Sequence, residues 1–99
     1  MTFLFTDVED SSRLWDESPL QMRVALEQHD ALLGAVIEAH GGYVFTTAGD
    51  SFAAAFQTAD QAASAATEIQ QVIADAEWDP ATPVRVRRGW RRPGTGGRS

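Results

Sequence analysis

Short runs of aromatic and β-branched residues alternate along this chain with longer stretches whose apolar positions recur every three or four residues. The first run, residues 2–7, reads as a strand. Small and acidic residues from 8 to 12 read as a turn, and residues 13–17 as one helical turn with Leu14 and Trp15 as its apolar contacts. Ser18-Pro19-Leu20-Gln21 starts a helix, because Ser18 can cap, Pro19 suits the first helical position and Gln21 completes a capping box. Met22, Ala25, Leu26, His29, Leu32, Leu33, Val36, Ile37 and His40 then form one stripe of period near 3.6, which Gly41-Gly42 ends. Tyr43-Val44-Phe45-Thr46-Thr47 and Ser51-Phe52-Ala53-Ala54-Ala55-Phe56 are two more strands, joined at Ala48-Gly49-Asp50. Thr58-Ala59-Asp60-Gln61 repeats the capping pattern, and the helix after it aligns Ala62, Ala65, Ala66, Ile69, Val72, Ile73 and Ala76. A loop with two prolines covers 78–83, and Val84-Arg85-Val86-Arg87 alternates as the start of a fourth strand.

The order is therefore β-α-β-β-α-β. It predicts an α+β fold of the ferredoxin-like split βαβ kind, with two long helices on one face of a largely antiparallel sheet. From residue 88 the chain is dominated by Arg and Gly without an apolar period. The sequence thus divides into a domain over 1–87 and a disordered tail over 88–99.

Composition narrows the partners. At 43% hydrophobic the chain can build the core of one small domain or of part of a larger one. Without cysteine it has neither disulfides nor thiolate metal ligands. No apolar run approaches the roughly 18 residues of a membrane span, and no basic segment precedes a signal-like core. A cytoplasmic protein with no membrane partner is expected. All 14 acids fall within 1–83 beside only Arg13 and Arg23, whereas the other six arginines fall within 84–99 with no acid. The acidic body repels phosphate backbones, so no nucleic-acid partner is expected, and the basic end reads as non-specific electrostatics. Lysine and asparagine are absent throughout. Chemistry that needs a Lys ammonium or an Asn carboxamide in the site cannot be run by these 99 residues.

Two aspartates stand out by position. Asp7 ends the first strand, and Asp50 follows Gly49 at the hairpin. In a split βαβ sheet the first strand lies beside the hairpin, so the two carboxylates can meet. A magnesium ion takes oxygen ligands in octahedral geometry, with one or two carboxylates beside substrate phosphates. Two such ions can activate an attacking oxygen and neutralise a leaving pyrophosphate. The competing interpretation is a pair of solvated turn aspartates, since Asp after Gly is ordinary turn chemistry. Glu9 and Asp10 read as solvated turn acids, and His29 and His40 as partly buried helix residues. Trp15 and the phenylalanines read as core, and Ser11 and Ser12 lack a neighbouring base that would make them nucleophiles.

These residues also resemble a family. Phe5-Thr6-Asp7-Val8-Glu9-Asp10-Ser11-Ser12, followed by Arg13-Leu14-Trp15, is similar to the opening of class III adenylate/guanylate cyclase catalytic domains, F-T-D-[IV]-x-G-S-T-x-L-W. Ala39-His40-Gly41-Gly42 leading through Val44-Phe45-Thr46-Thr47-Ala48-Gly49-Asp50-Ser51-Phe52 resembles the family's second segment, G-G-x-x-[FV]-K-x-x-G-D-x-F. The helix between them looks like the bacterial and mycobacterial members, and the resemblance covers about residues 2–87. It implies a domain that dimerises, with itself or with another cyclase-like domain, around composite sites. It implies conversion of ATP or GTP to the 3′,5′-cyclic nucleotide and pyrophosphate with two Mg²⁺ or Mn²⁺ ions, in signal transduction. On this resemblance Asp7 and Asp50 fall on the metal aspartates and the Val8 carbonyl on a backbone ligand. The backbone of Glu9, Asp10, Ser11 and Ser12 falls on the phosphate contacts.

The departures are specific. Thr46 stands at the base-selecting position, where adenylate cyclases carry Lys, and Asp10 replaces the turn glycine. The family continues V-R-[VI]-[RG]-x-G-[LI]-x-x-G into a half-domain that carries a second base-reading residue and the Asn and Arg that stabilise the transition state. Here Val84-Arg85-Val86-Arg87-Arg88-Gly89-Trp90 runs into the Arg/Gly tail. The expectation is a truncated nucleotide-cyclase fold, inactive alone. The alternatives are a degenerate nucleotide-binding or dimerisation module of a regulator, and a non-functional remnant made by a change of reading frame near Arg88.

Overall fold

β1 spans Thr2–Val8 in a computed structural model that describes residues 1–91. Its side chains alternate as a strand requires: Thr2, Leu4, Thr6 and Val8 are buried, while Phe3, Phe5 and Asp7 are half-buried on the opposite face. After the turn at Glu9 and Asp10 come α1 (Ser11–Glu17) and α2 (Pro19–Ala39), then the hairpin of β2 (Tyr43–Ala48) and β3 (Ser51–Phe56), then α3 (Ala59–Asp75) and β4 (Val86–Arg91).

The sheet order is β2-β3-β1-β4, and each neighbouring pair is antiparallel. β3 therefore lies between β1 and β2, and β1 between β3 and β4, which is the expected split βαβ arrangement. The core fills the space between one sheet face and the helices. The sheet contributes Leu4, Val8, Phe52, Ala54 and Phe56, α2 contributes Met22, Ala25, Leu33, Val36 and Ile37, and α3 contributes Ala62, Ala65, Ala66, Ile69 and Ile73. The three buried alanines of α3 let it lie close to its neighbours. Leu26, Leu32, Val72 and Ala76 from the predicted stripes are only half-buried.

The helix ends follow their local chemistry. Thr58 and Gln61 form the predicted capping box. Gly42 N–H donates to the Ile37 carbonyl at 2.8 Å and Gly41 N–H to the Glu38 carbonyl at 3.0 Å, with Gly41 at φ 76°, so the two glycines close α2 as a Schellman motif. Gly42 has a second reason to be glycine, since a Cβ there would stand 2.4 Å from the Phe56 ring.

Three expectations change. Ser18 makes no side-chain cap, because it is shared between two helices: its N–H donates to Leu14 of α1 and its carbonyl accepts from Met22 of α2. Trp15 is 38% exposed and not core, since seven-residue α1 buries only Leu14, and of the phenylalanines only Phe52 and Phe56 are core, with Phe45 exposed and Phe3 and Phe5 half-buried. The fourth strand begins at Val86 and runs to Arg91, so the start of the expected tail is ladder, paired with Phe3 to Val8. The rest of that tail, 92–99, lies outside the described residues.

Candidate metal centre

Asp7 is the last residue of β1 on the face turned away from the helices, and the β2–β3 turn brings Asp50 to the same end of the sheet. Gly49 makes that turn possible at φ 60°, a conformation cheap only without a Cβ. The Val8 N–H donates to Asp50 Oδ2 at 3.1 Å, so the hairpin carboxylate is fastened to the residue that follows Asp7. The structure thus places the Asp50 carboxylate on the backbone of the residue after Asp7, at the same end of the sheet.

Asp7 has a partner that sequence reasoning missed. Arg87 Nε donates to Asp7 Oδ1 at 2.9 Å and Nη2 to Oδ2 at 3.2 Å, a two-pronged contact. The register explains it, because Asp7 and Arg87 are directly opposed across the β1–β4 ladder. The hydrogen bond and charge of Asp7 raise the Arg87 pKa above its already high ordinary value, with Glu9 and Asp10 adding smaller charge effects. The alternation Val84-Arg85-Val86-Arg87 predicts a strand, but nothing local in it selects Asp7.

A cavity of ≈ 430 Å³ opens beside this pair, lined among others by Phe5, Asp7, Thr46, Phe52, Arg87 and Gly89. That volume is in the range of small-ligand sites. Thr46 reaches it after a register shift between Val44 and Thr46, the kind of bulge that re-aims a side chain. Thr46, expected from the sequence at the base-selecting position, therefore shares one cavity with the strand-end carboxylate.

The turn over the site is partly committed. Glu9 N–H is taken by the Arg85 carbonyl at 2.8 Å, which removes that amide from the predicted phosphate contacts. Asp10 sits at φ 59°, the left-handed region, at the position where the resembled family has glycine. Its carbonyl accepts the first α1 bond, from Leu14 N–H, so the amides of Ser11 and Ser12 precede the helical ladder.

The histidines lie elsewhere. His29 is fully buried, its Nδ1 2.9 Å from Asp30 Oδ1 and its ring edge-on to Phe52. His40 Nε2 lies 2.6 Å from Glu68 Oε1, tying α2 to α3. Among the described residues no three His, Cys, Asp or Glu side chains cluster as metal ligands. Asp7 and Asp50 nonetheless present oxygen donors, the type that hard divalent ions take. No helix among the described residues is long and apolar enough to cross a membrane.

Comparison with known proteins agrees with this fold. The profile of the adenylate and guanylate cyclase catalytic domain matches residues 1–76. Adenylate cyclase of Schizosaccharomyces pombe is 33% identical over 78 residues, 79% of this chain and 5% of that protein. A protein of Mycobacterium bovis is 36% identical over 91 residues, 90% of this chain and 30% of its own length. An adenylate cyclase structure from Trypanosoma brucei superposes with a TM-score of 0.84 at 26% identity, covering 90% of this chain and 54% of that one. The guanylate cyclase domain from Catenaria anguillulae, solved with GTP, shares the fold at a TM-score of 0.79 and 21% identity, over 90% of this chain and 53% of that one. The chain thus spans about half of these solved domains and a small part of the curated relatives.

Proposed function

The chain belongs to the adenylate and guanylate cyclase catalytic-domain family, and on that premise we propose that it carries the metal- and phosphate-binding half of a nucleotide cyclase site. Asp7, Asp50 and the Val8 carbonyl would hold Mg²⁺ or Mn²⁺. Their donors fit such ions in kind, all oxygen and two of them carboxylate. The bound ions would supply charge neutralisation at the triphosphate of ATP or GTP and activation of the attacking ribose oxygen.

The remaining work belongs to the chain's own residues. The Val8 amide orients Asp50. The amides of Ser11 and Ser12, the first two residues of α1, would supply the phosphate contacts. Thr46 offers the base a neutral hydroxyl, so base choice is weakly specified from this side of the cavity. The open sheet face exposes Tyr43 and Phe45, at 70% and 45%, which supports a second cyclase-like domain as partner. With no Lys and no Asn, these 99 residues do not fill the base-reading and transition-state roles those residues have in the family. We therefore expect binding without turnover from this chain alone. The family and fold matches lend no support to a regulator's binding module or to a non-functional remnant.

The observation that carries this reading is the Val8–Asp50 hydrogen bond, which joins the two motif segments across 42 residues. The test is Mn²⁺-dependent binding of ATP and GTP to the purified chain, with Asp7→Ala and Asp50→Ala beside it. Binding should need the metal and fall in both variants, and no cyclic product should form. Nucleotide binding indifferent to both substitutions would remove the proposal.

A further inference from the structure

The two candidate metal carboxylates differ in what already holds them. Asp50 accepts from a neutral backbone amide. Both Asp7 oxygens accept from one guanidinium, at 2.9 and 3.2 Å. The planar fork of Arg87 matches both carboxylate oxygens at once, which a point-like ammonium cannot do. The β1–β4 register places this fork opposite Asp7. Arg87 also lines the cavity that Asp7 and Thr46 share.

We propose that Arg87 is a built-in competitor for the divalent cation at Asp7. The guanidinium and the cation take the same carboxylate, so the cation binds as Arg87 swings off it. This rests on the metal reading of Asp7 and Asp50. The movement needs no change of fold, because the Arg87 side chain is 63% exposed and can turn into solvent or toward an anion in the cavity. An exposed ion pair is weak, so the competition lowers cation affinity without abolishing it. Losing the pair, together with the repulsion between guanidinium and cation, corresponds to about tenfold tighter cation binding.

A Mn²⁺ titration of the full chain, followed by the electron paramagnetic resonance signal of the free ion, tests this. The variants are Arg87→Gln, Arg87→Lys, Arg85→Ala and Asp7→Asn, with far-ultraviolet circular dichroism to confirm that each is folded. Arg85→Ala removes the same charge two residues away, from a residue whose carbonyl faces Glu9. Arg87→Gln should bind Mn²⁺ about tenfold more tightly, Arg87→Lys should fall between it and the parent, and Arg85→Ala should stay within about twofold. Adding Asp7→Asn to Arg87→Gln should erase the gain. Equal affinity of parent and Arg87→Gln, with binding still lost in Asp7→Asn, overturns the competition and leaves the metal site standing. An equal gain in Arg85→Ala overturns it as a general charge effect. Absence of Mn²⁺ binding in every variant overturns the metal reading and the competition with it.

Discussion

The two faces of the sheet are made by the same strands and serve opposite ends. On the helix side Leu4, Val8, Phe52 and Phe56 are each at most 6% exposed, under α2 and α3. On the other side Phe3, Phe5, Tyr43 and Phe45 are half-buried or exposed, and the charged pair Asp7–Arg87 stands among them. Fully burying a large apolar side chain contributes about 1.5–3 kcal/mol, whereas an exposed ion pair contributes little. The first face therefore holds the fold, and the second is free to carry chemistry. Stability and metal binding should come apart when the two are mutated separately.

The sharpest contrast is Phe56→Ala against Tyr43→Ala. Phe56 is 1% exposed, and its loss should cost about 3–5 kcal/mol in urea unfolding. Tyr43 is 70% exposed, and its loss should stay within about 0.5 kcal/mol. If both cost the same, the open face is packed in solution and the comparison fails. Gly42→Ala should come next, at about 1–3 kcal/mol, because its Cβ would meet Phe56 at 2.4 Å and Ile37 Cγ2 at 2.9 Å. A neutral result there would mean that the Phe56 ring can turn aside, and that the helix-side packing is looser than its burial implies.

The covered face was legible in the sequence for the same reason it is stable. Period-2 alternation in β1, the 3.6-residue stripes of α2 and α3, and the Gly41-Gly42 stop each act within a few residues. Thr58→Ala probes one such local signal and should cost about 1 kcal/mol, since the Gln61 amide loses its cap. No loss there would show that α3 is held by packing alone. The open face depends on register, which sequence periodicity does not set. Asp7 and Asp50 could be named from their strand-end positions and from motif resemblance. That Arg87 meets Asp7 depends on which β4 residue faces which β1 residue, 80 positions away. Thr46 reaches the cavity through a bulge, and no turn signal marks that bulge. Ser18 fits the local pattern of a cap, but two helices share its backbone and its hydroxyl makes no cap.

Asp10 joins the two faces, since it links β1 to α1 above the candidate metal centre. Its φ of 59° is left-handed, and only glycine adopts that without a Cβ penalty of about 1–2 kcal/mol. Asp tolerates the region better than most residues, because its short side chain can hydrogen-bond locally. Its contact with Arg13 is 3.5 Å long, with the two side chains 70% and 56% exposed, and offers little in return. Replacing it with glycine relieves the strain but frees the unfolded chain by about 0.5–1 kcal/mol. Asp10→Gly should therefore stabilise by a few tenths to about 1 kcal/mol, while Asp10→Ala, which keeps the Cβ and loses the polar group, should destabilise. The same glycine variant removes a negative charge above the proposed phosphate path, so nucleotide binding should tighten. Tighter binding without added stability would assign the penalty at this position to charge. Added stability without tighter binding would assign it to backbone strain, and loss of both would sink this account of Asp10.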